Sequence, residues 1–194
     1  MIPNILSIAG SDSSGGAGIQ ADIKAVTLLG GYAMTAITAI TAQDTRGVHG
    51  VWPVPIEGVI GQMQVTLADI GADAIKTGML GSVEVVEAVA DILDGAGVPA
   101  AVDPVMVAKS GDSLLRKDAV DSLRTRLLPL AAVVTPNIPE AEALTETKIV
   151  SDADVRRAAK AIVAMGARSV VVKGGHREGP ATDLFYDGSD FREF

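Results

Sequence analysis

The 194-residue chain contains no cysteine. Within these residues that excludes a disulfide scaffold, a thiolate nucleophile and a cysteine zinc site, and it fits a reducing compartment. Aromatic residues are nearly as scarce, with one Trp, two Tyr and three Phe. A core must therefore be built from Ala, Val, Ile and Leu, and a hydrophobic content of 48% is enough to build one. Positive charge is in deficit: 16 Lys and Arg face 24 Asp and Glu, for a formal net charge of -8. No basic cluster is dense enough for a nucleic-acid surface, and Arg124 with Arg126 reads as a solvated helix face. Long apolar runs are missing too. The longest candidate, 127–134, contains Pro129 and is far too short to span a bilayer. The N-terminus has no basic region followed by an apolar run. A cytoplasmic protein with neither nucleic-acid nor membrane partners is expected.

What the chain does have is alternation. Short apolar runs at 5–9, 32–39, 74–76, 100–102, 131–134 and 169–172 read as strands. Longer stretches with helical spacing lie between them, at 19–29, 56–69, 83–93, 119–128, from about 139, and 151–165. Such βα units build a mostly parallel sheet in a single domain. Ser151 with Asp154 resembles an acidic capping box, and a closing hairpin is expected around Asp187-Gly188.

The first βα connection is rich in small residues, Gly10-Ser-Asp-Ser-Ser-Gly-Gly-Ala-Gly18. Glycine permits close backbone approach, and amides at the following helix start favour polar or anionic groups. An ordinary βα turn is an equal reading of that loop alone. Its Gly16-Ala-Gly-Ile-Gln-Ala21 segment formally matches a dinucleotide fingerprint. However, Gly10 to Gly15 separate it from the strand, and Asp12 adds negative charge where a pyrophosphate would sit.

Polar groups recur after strand ends: Ser11 and Asp12, Gln43, Thr77, Asp103, Asn137 and Glu140, Lys173 and His176. In an open parallel sheet these ends share one edge, where ligands bind. Asp103 could hold a magnesium ion or its water shell, or simply form a turn. Asn137-x-x-Glu140 could serve magnesium and phosphate, or cap a helix. Lys173 before two glycines suits a phosphate, or a turn into a hairpin. Two acidic positions, a lysine and glycine-rich loops suit phosphoryl transfer, which needs positioning and charge stabilisation above all. No Gly-x-x-x-x-Gly-Lys-Ser/Thr loop is present. Met79 and Val105-Met-Val107 could wall a flat apolar pocket, although packing is their commoner use. Gln43 can donate and accept together, which suits a heteroaromatic edge. His49 has no partner pattern, and Trp52 is expected to pack.

The segments IAGSDSSGGAGIQADIKA, TAITAQDT, KTGML, VDPVMVAKSGD, TPNIPEAEAL and VVVKGGH, in this order, resemble the hydroxymethylpyrimidine/phosphomethylpyrimidine kinases of thiamine biosynthesis. The resemblance implies a three-layer α/β/α ribokinase-like fold with a mostly parallel central sheet. It implies ATP- and Mg2+-dependent phosphorylation of 4-amino-5-hydroxymethyl-2-methylpyrimidine and then of its monophosphate. By matching motif positions, Gly10, Asp22, Gln43, Met79 and Val105 would meet the pyrimidine. Asp103 and Glu140 would organise the metal, and Asn137 and Lys173 the nucleotide. A homodimer is also implied. One departure stands out: the family's later Gly-Thr-Gly-Cys-type anion-hole segment, which carries the catalytic base, is not found within 1–194. Residues 1–194 therefore read as one kinase domain lacking that segment, with no base assigned. Pyridoxal phosphorylation is the nearest enzymatic alternative, and non-catalytic pyrimidine binding is the alternative of another class.

Overall fold

The computed structural model describes residues 2–106, 117–175 and 181–194. Val107 and His176 lie outside the described residues. The chain begins with strand β1 (Asn4–Ala9), helix α1 (Gly18–Leu28) and strand β2 (Tyr32–Ile37). A small antiparallel hairpin follows, β3 (Ala39–Gln43) with β4 (Val48–Pro53). Then come α2 (Ile56–Asp69), β5 (Ala74–Thr77), α3 (Val83–Ala96), β6 (Ala100–Val102) and α4 (Lys117–Ser122). The chain ends through β7 (Val133–Val134), α5 (Ile138–Thr145), α6 (Asp152–Ala164), β8 (Val170–Val172), β9 (Leu184–Tyr186) and β10 (Phe191–Glu193). Eight strands form one sheet in the order β10-β9-β8-β7-β6-β5-β1-β2. From β8 to β2 all neighbours are parallel, and the expected closing hairpin adds two antiparallel strands at the other edge.

Two expectations need correction. The second strand does not run on to residue 39: the chain turns out of the main sheet and forms the separate β3–β4 hairpin. The helix expected over 119–128 is not uniform either. After α4 it widens into a π turn at Leu123–Leu127 and tightens into a 3-10 turn at Leu128–Leu130. Pro129 in that last turn has no N–H to offer a regular helical ladder.

The helix ends follow local chemistry. Ser82 accepts the Val85 N–H at the start of α3, and Gly97 ends it in the left-handed region at φ 67°. At the start of α6, Ser151 Oγ accepts from the Asp154 N–H. The Asp154 carboxylate takes the Val150 N–H and the Ser151 hydroxyl, so its return bond lands one residue earlier than in a regular capping box.

The core is one-sided. Side chains alternate across a strand, and register partners share a face. Leu6, Ile8, Met34, Ala36, Ile75, Ala100, Val102, Val134, Val170 and Val172 share one face and join a single buried cluster with α2, α3, α5 and α6. The opposite face belongs to α1, as the bonds from Ser7 and Lys76 to Asp22 mark. α1 packs on β1 and β2. Farther along that face, Ala101, Val133, Val171 and Phe185 are only half-buried.

Candidate active site at the strand ends

The first βα loop is organised by Asp12, which is 2% exposed. One carboxylate oxygen accepts the N–H and the hydroxyl of Ser14, at 2.8 and 2.7 Å. The other accepts the N–H groups of Gly16 and Ala17, at 3.0 and 2.8 Å. Burial works to raise its pKa, but these four hydrogen bonds outweigh it and hold the carboxyl below its usual range. The amides just before α1 are therefore occupied by a side chain of the same chain. With the Gly16 and Ala17 amides taken by Asp12, this stretch fits the ordinary-turn reading better than the dinucleotide one. Gly18, at φ 57°, completes the turn: a Cβ there would lie 2.5 Å from the Gly10 carbonyl oxygen.

Above β1 and β5 the loop meets a small apolar floor. A Cβ on Gly10 would come within 2.3 Å of Met79 Cε, so these two residues of the pyrimidine set are in contact. Met79 is fixed from behind, its carbonyl accepting the Thr38 hydroxyl at 2.6 Å. The hairpin is tied to the loop: the Gln43 N–H donates to Ser13 Oγ, and the Ser13 hydroxyl donates to the Gln43 carbonyl. Gln43 is thereby anchored through its backbone, and among the described residues its amide side chain meets only the Thr41 hydroxyl, at 3.4 Å. Asp22, one turn into α1, takes the Ser7 hydroxyl at 2.6 Å and the Lys76 ammonium at 2.8 Å. Val105 follows β6 in a tight turn, its N–H on the Asp103 carbonyl, and is half-buried.

The second group stands at the ends of β6, β7 and β8. Asn137 and Glu140 close a full capping box on α5: Asn137 Oδ1 accepts the Glu140 N–H at 2.9 Å, and Glu140 Oε2 accepts the Asn137 N–H at 2.8 Å. Capping is therefore realised at this pair, and the Asn137 NH2 group remains as a donor. A lone parallel bridge sets Lys173 beside Asn137. From there the Lys173 ammonium reaches Asp103 at 2.9 Å and Glu140 at 4.0 Å, one cation between two carboxylates. Burial pushes the Glu140 carboxyl up to about 7. The Asn137 N–H and Lys173 act against that rise, and Asp103 adds to it. Magnesium usually takes one or two protein carboxylates and shares substrate phosphates and water, so this pair fits such an ion. A cage of three or more His, Cys, Asp or Glu is absent among the described residues.

The structure thus joins Asp103, Asn137, Glu140 and Lys173 in one cluster and Gly10 with Met79 in another, both on the carboxyl edge of the sheet. The backbone joins the two clusters, the Asp103 N–H donating to the Thr77 carbonyl two residues before Met79. Two residues of consequence went unassigned in sequence. Asp12 carries a legible signal, an Asp two residues before Ser14 in a glycine-rich turn. Lys76 opens the Lys-Thr-Gly-Met-Leu segment, but nothing in the sequence pairs it with Asp22. Three minor expectations also change. His49 has a partner after all, with Nε2 3.1 Å from Asp44. Trp52 is 59% exposed rather than packed away. Arg124 is mostly buried and bound to Glu146 and the Ala143 carbonyl.

Comparison with known proteins identifies the family. The phosphomethylpyrimidine kinase family model matches residues 12–194. The hydroxymethylpyrimidine/phosphomethylpyrimidine kinase of Streptomyces coelicolor is 52% identical over 188 residues, 97% of this chain and 70% of that protein. Its counterpart from Rhizobium meliloti is 55% identical over 185 residues, 94% of this chain and 70% of that protein. The crystal structure of phosphomethylpyrimidine kinase from Clostridium difficile superposes with a TM-score of 0.92 at 42% identity, covering all of this chain and 84% of that one. Bacillus subtilis pyridoxal kinase, solved as an ADP complex, superposes with a TM-score of 0.92 at 39% identity, covering all of this chain and 75% of that one. The α/β fold is the ribokinase-like one, and the chain belongs to the phosphomethylpyrimidine kinase family.

Proposed function

We propose that the chain carries the substrate and phosphate sites of an ATP-dependent kinase acting on 4-amino-5-hydroxymethyl-2-methylpyrimidine and its monophosphate in thiamine biosynthesis. What supports this above all is the Asp103–Lys173–Glu140 cluster beside the Gly10–Met79 floor, in a chain of this family. In this reading the pyrimidine lies on Met79, whose methyl group Gly10 makes room for, with Val105 as a wall. Gln43 reads the aminopyrimidine edge, and Asp22 accepts from a substrate N–H or O–H. Lys173 moves from its carboxylate partners to the nucleotide phosphates, and Asn137 donates its NH2 group to the same phosphates. A magnesium ion at Asp103 and Glu140 would supply neutralisation of the charge on the transferring phosphoryl group. At neutral pH such an ion would also favour the ionised form of Glu140.

Residues 1–194 make one kinase domain. A cytoplasmic homodimer completes the proposal. The solved pyridoxal kinases share the fold at comparable TM-scores, so pyridoxal is the competing substrate.

Nucleotide titration tests the phosphate site. Lys173→Ala is expected to weaken Mg-ATP binding roughly tenfold and leave pyrimidine affinity unchanged. Equal ATP affinity in a folded variant removes Lys173 from the role.

A further inference from the structure

We propose that Lys76, at the end of β5, is a positioning residue for the pyrimidine, acting through Asp22; the inference rests on the functional reading above. Asp22 is the only acidic residue of α1. Two groups from two adjacent strands converge on one of its oxygens. Ser7 of β1 donates its hydroxyl to Oδ2 at 2.6 Å, and Lys76 of β5 donates its ammonium to the same Oδ2 at 2.8 Å. Ser7 and Lys76 are register partners, so both side chains leave the sheet on the α1 face. The pair is largely shielded, with side-chain exposures of 28% for Lys76 and 20% for Asp22. Oδ1 has no hydrogen-bond partner among the described residues. A carboxylate held by one oxygen has a fixed plane, and its second oxygen faces one direction. This arrangement suits acceptance of a hydrogen bond from a bound ligand, since the orientation is set before the ligand arrives.

The neighbouring residues explain why a lysine stands there. A Cβ on Gly78 would lie 3.0 Å from both Lys76 Nζ and Ala9 Cβ. The backbone therefore passes directly over the ammonium on its way to Met79. The Gly78 N–H is fixed to the Ile8 carbonyl, so this strand end has little freedom to move away. Lys76, Gly78 and Met79 thus form one unit: the lysine holds Asp22, the glycine lets the chain cross it, and the methionine supplies the apolar floor against Gly10. The unit separates two cationic roles. Lys173 serves the phosphate cluster, whereas Lys76 is bound to the helix that borders the floor.

The experiment is calorimetric titration of the full chain and its Lys76→Met, Lys76→Arg, Ser7→Ala and Asp22→Asn variants. The ligands are 4-amino-5-hydroxymethyl-2-methylpyrimidine and, separately, Mg-ATP. Lys76→Met is expected to lose about tenfold in pyrimidine affinity and to keep its ATP affinity, with Lys76→Arg recovering most of the loss. A general loss of structure would lower both affinities and would not be rescued by arginine. Should Lys76→Met fail to fold, Ser7→Ala removes the other anchor and carries the same expectation at a smaller fold-change. Weakened binding in Asp22→Asn with none in the anchor variants overturns the role of Lys76 and leaves the pyrimidine reading standing. Unchanged binding in Asp22→Asn overturns both the anchor and the place of Asp22 in the site. No pyrimidine binding by the folded wild-type chain overturns the functional reading together with the inference.

Discussion

At the scale of single residues, Asp12 holds the first βα loop in shape, and it does so as an intramolecular anion. Its four hydrogen bonds depress its pKa, so it contributes stability above the unfolded value near 3.8. That contribution is lost as pH falls through the lower folded-state value. Asp12→Asn keeps the shape and removes the charge and one acceptor. It is expected to cost about 1–3 kcal/mol at pH 7 in urea unfolding, and the difference from wild type should shrink below pH 4. A difference that stays constant with pH contradicts the assignment. The residue-level legibility of the site divides on the same physics. The placement of Gly10, Met79, Asp103 and Lys173 at the strand ends was legible because motif and strand end coincide. The partnership of Lys76 with Asp22 spans 54 residues and depends on two strands lying side by side, which no local pattern encodes.

At the scale of elements, α5 has two duties at one end. The Asn137–Glu140 box caps the helix, and the same two residues face Lys173. Substitution separates the duties. Asn137→Ala is expected to cost about 1 kcal/mol of stability, and Asn137→Ser, which restores a capping oxygen, should recover most of it. Because serine has no NH2 group, Asn137→Ser should still bind Mg-ATP more weakly than wild type. Wild-type nucleotide affinity in that variant would leave Asn137 with the cap alone. Most elements were readable from apolar spacing, since buried parallel strands and amphipathic helices both write strong patterns. The β3–β4 hairpin escaped because its strand pattern is weak: four of six residues in β4 are exposed, so solvent faces most of the strand. The π turn after α4 escaped because its cause is a backbone ladder ending near Pro129, and the apolar spacing there still reads as an ordinary helix.

At the scale of the whole molecule, the asymmetry of the sheet is the main result beyond the motifs. Composition required an aliphatic core, and the sheet delivers one, but among the described residues almost wholly on one face. The two faces should therefore tolerate charge differently. Val170→Lys points into the closed core and is expected to cost more than about 3 kcal/mol. Val171→Lys, next to it on the half-buried face, should cost less than about 1 kcal/mol. Equal losses in urea unfolding would show that the second face is packed as fully as the first. The ion pairs Asp22–Lys76 and Asp103–Lys173 lie toward the carboxyl end of the face opposite the main core. The central claim is that this edge recognises an aminopyrimidine. It is tested most directly by calorimetric titration of the chain with 4-amino-5-hydroxymethyl-2-methylpyrimidine beside pyridoxal. Saturable binding of the pyrimidine at least tenfold tighter than pyridoxal is the expected result. Preference for pyridoxal, or no pyrimidine binding by folded protein, would contradict it.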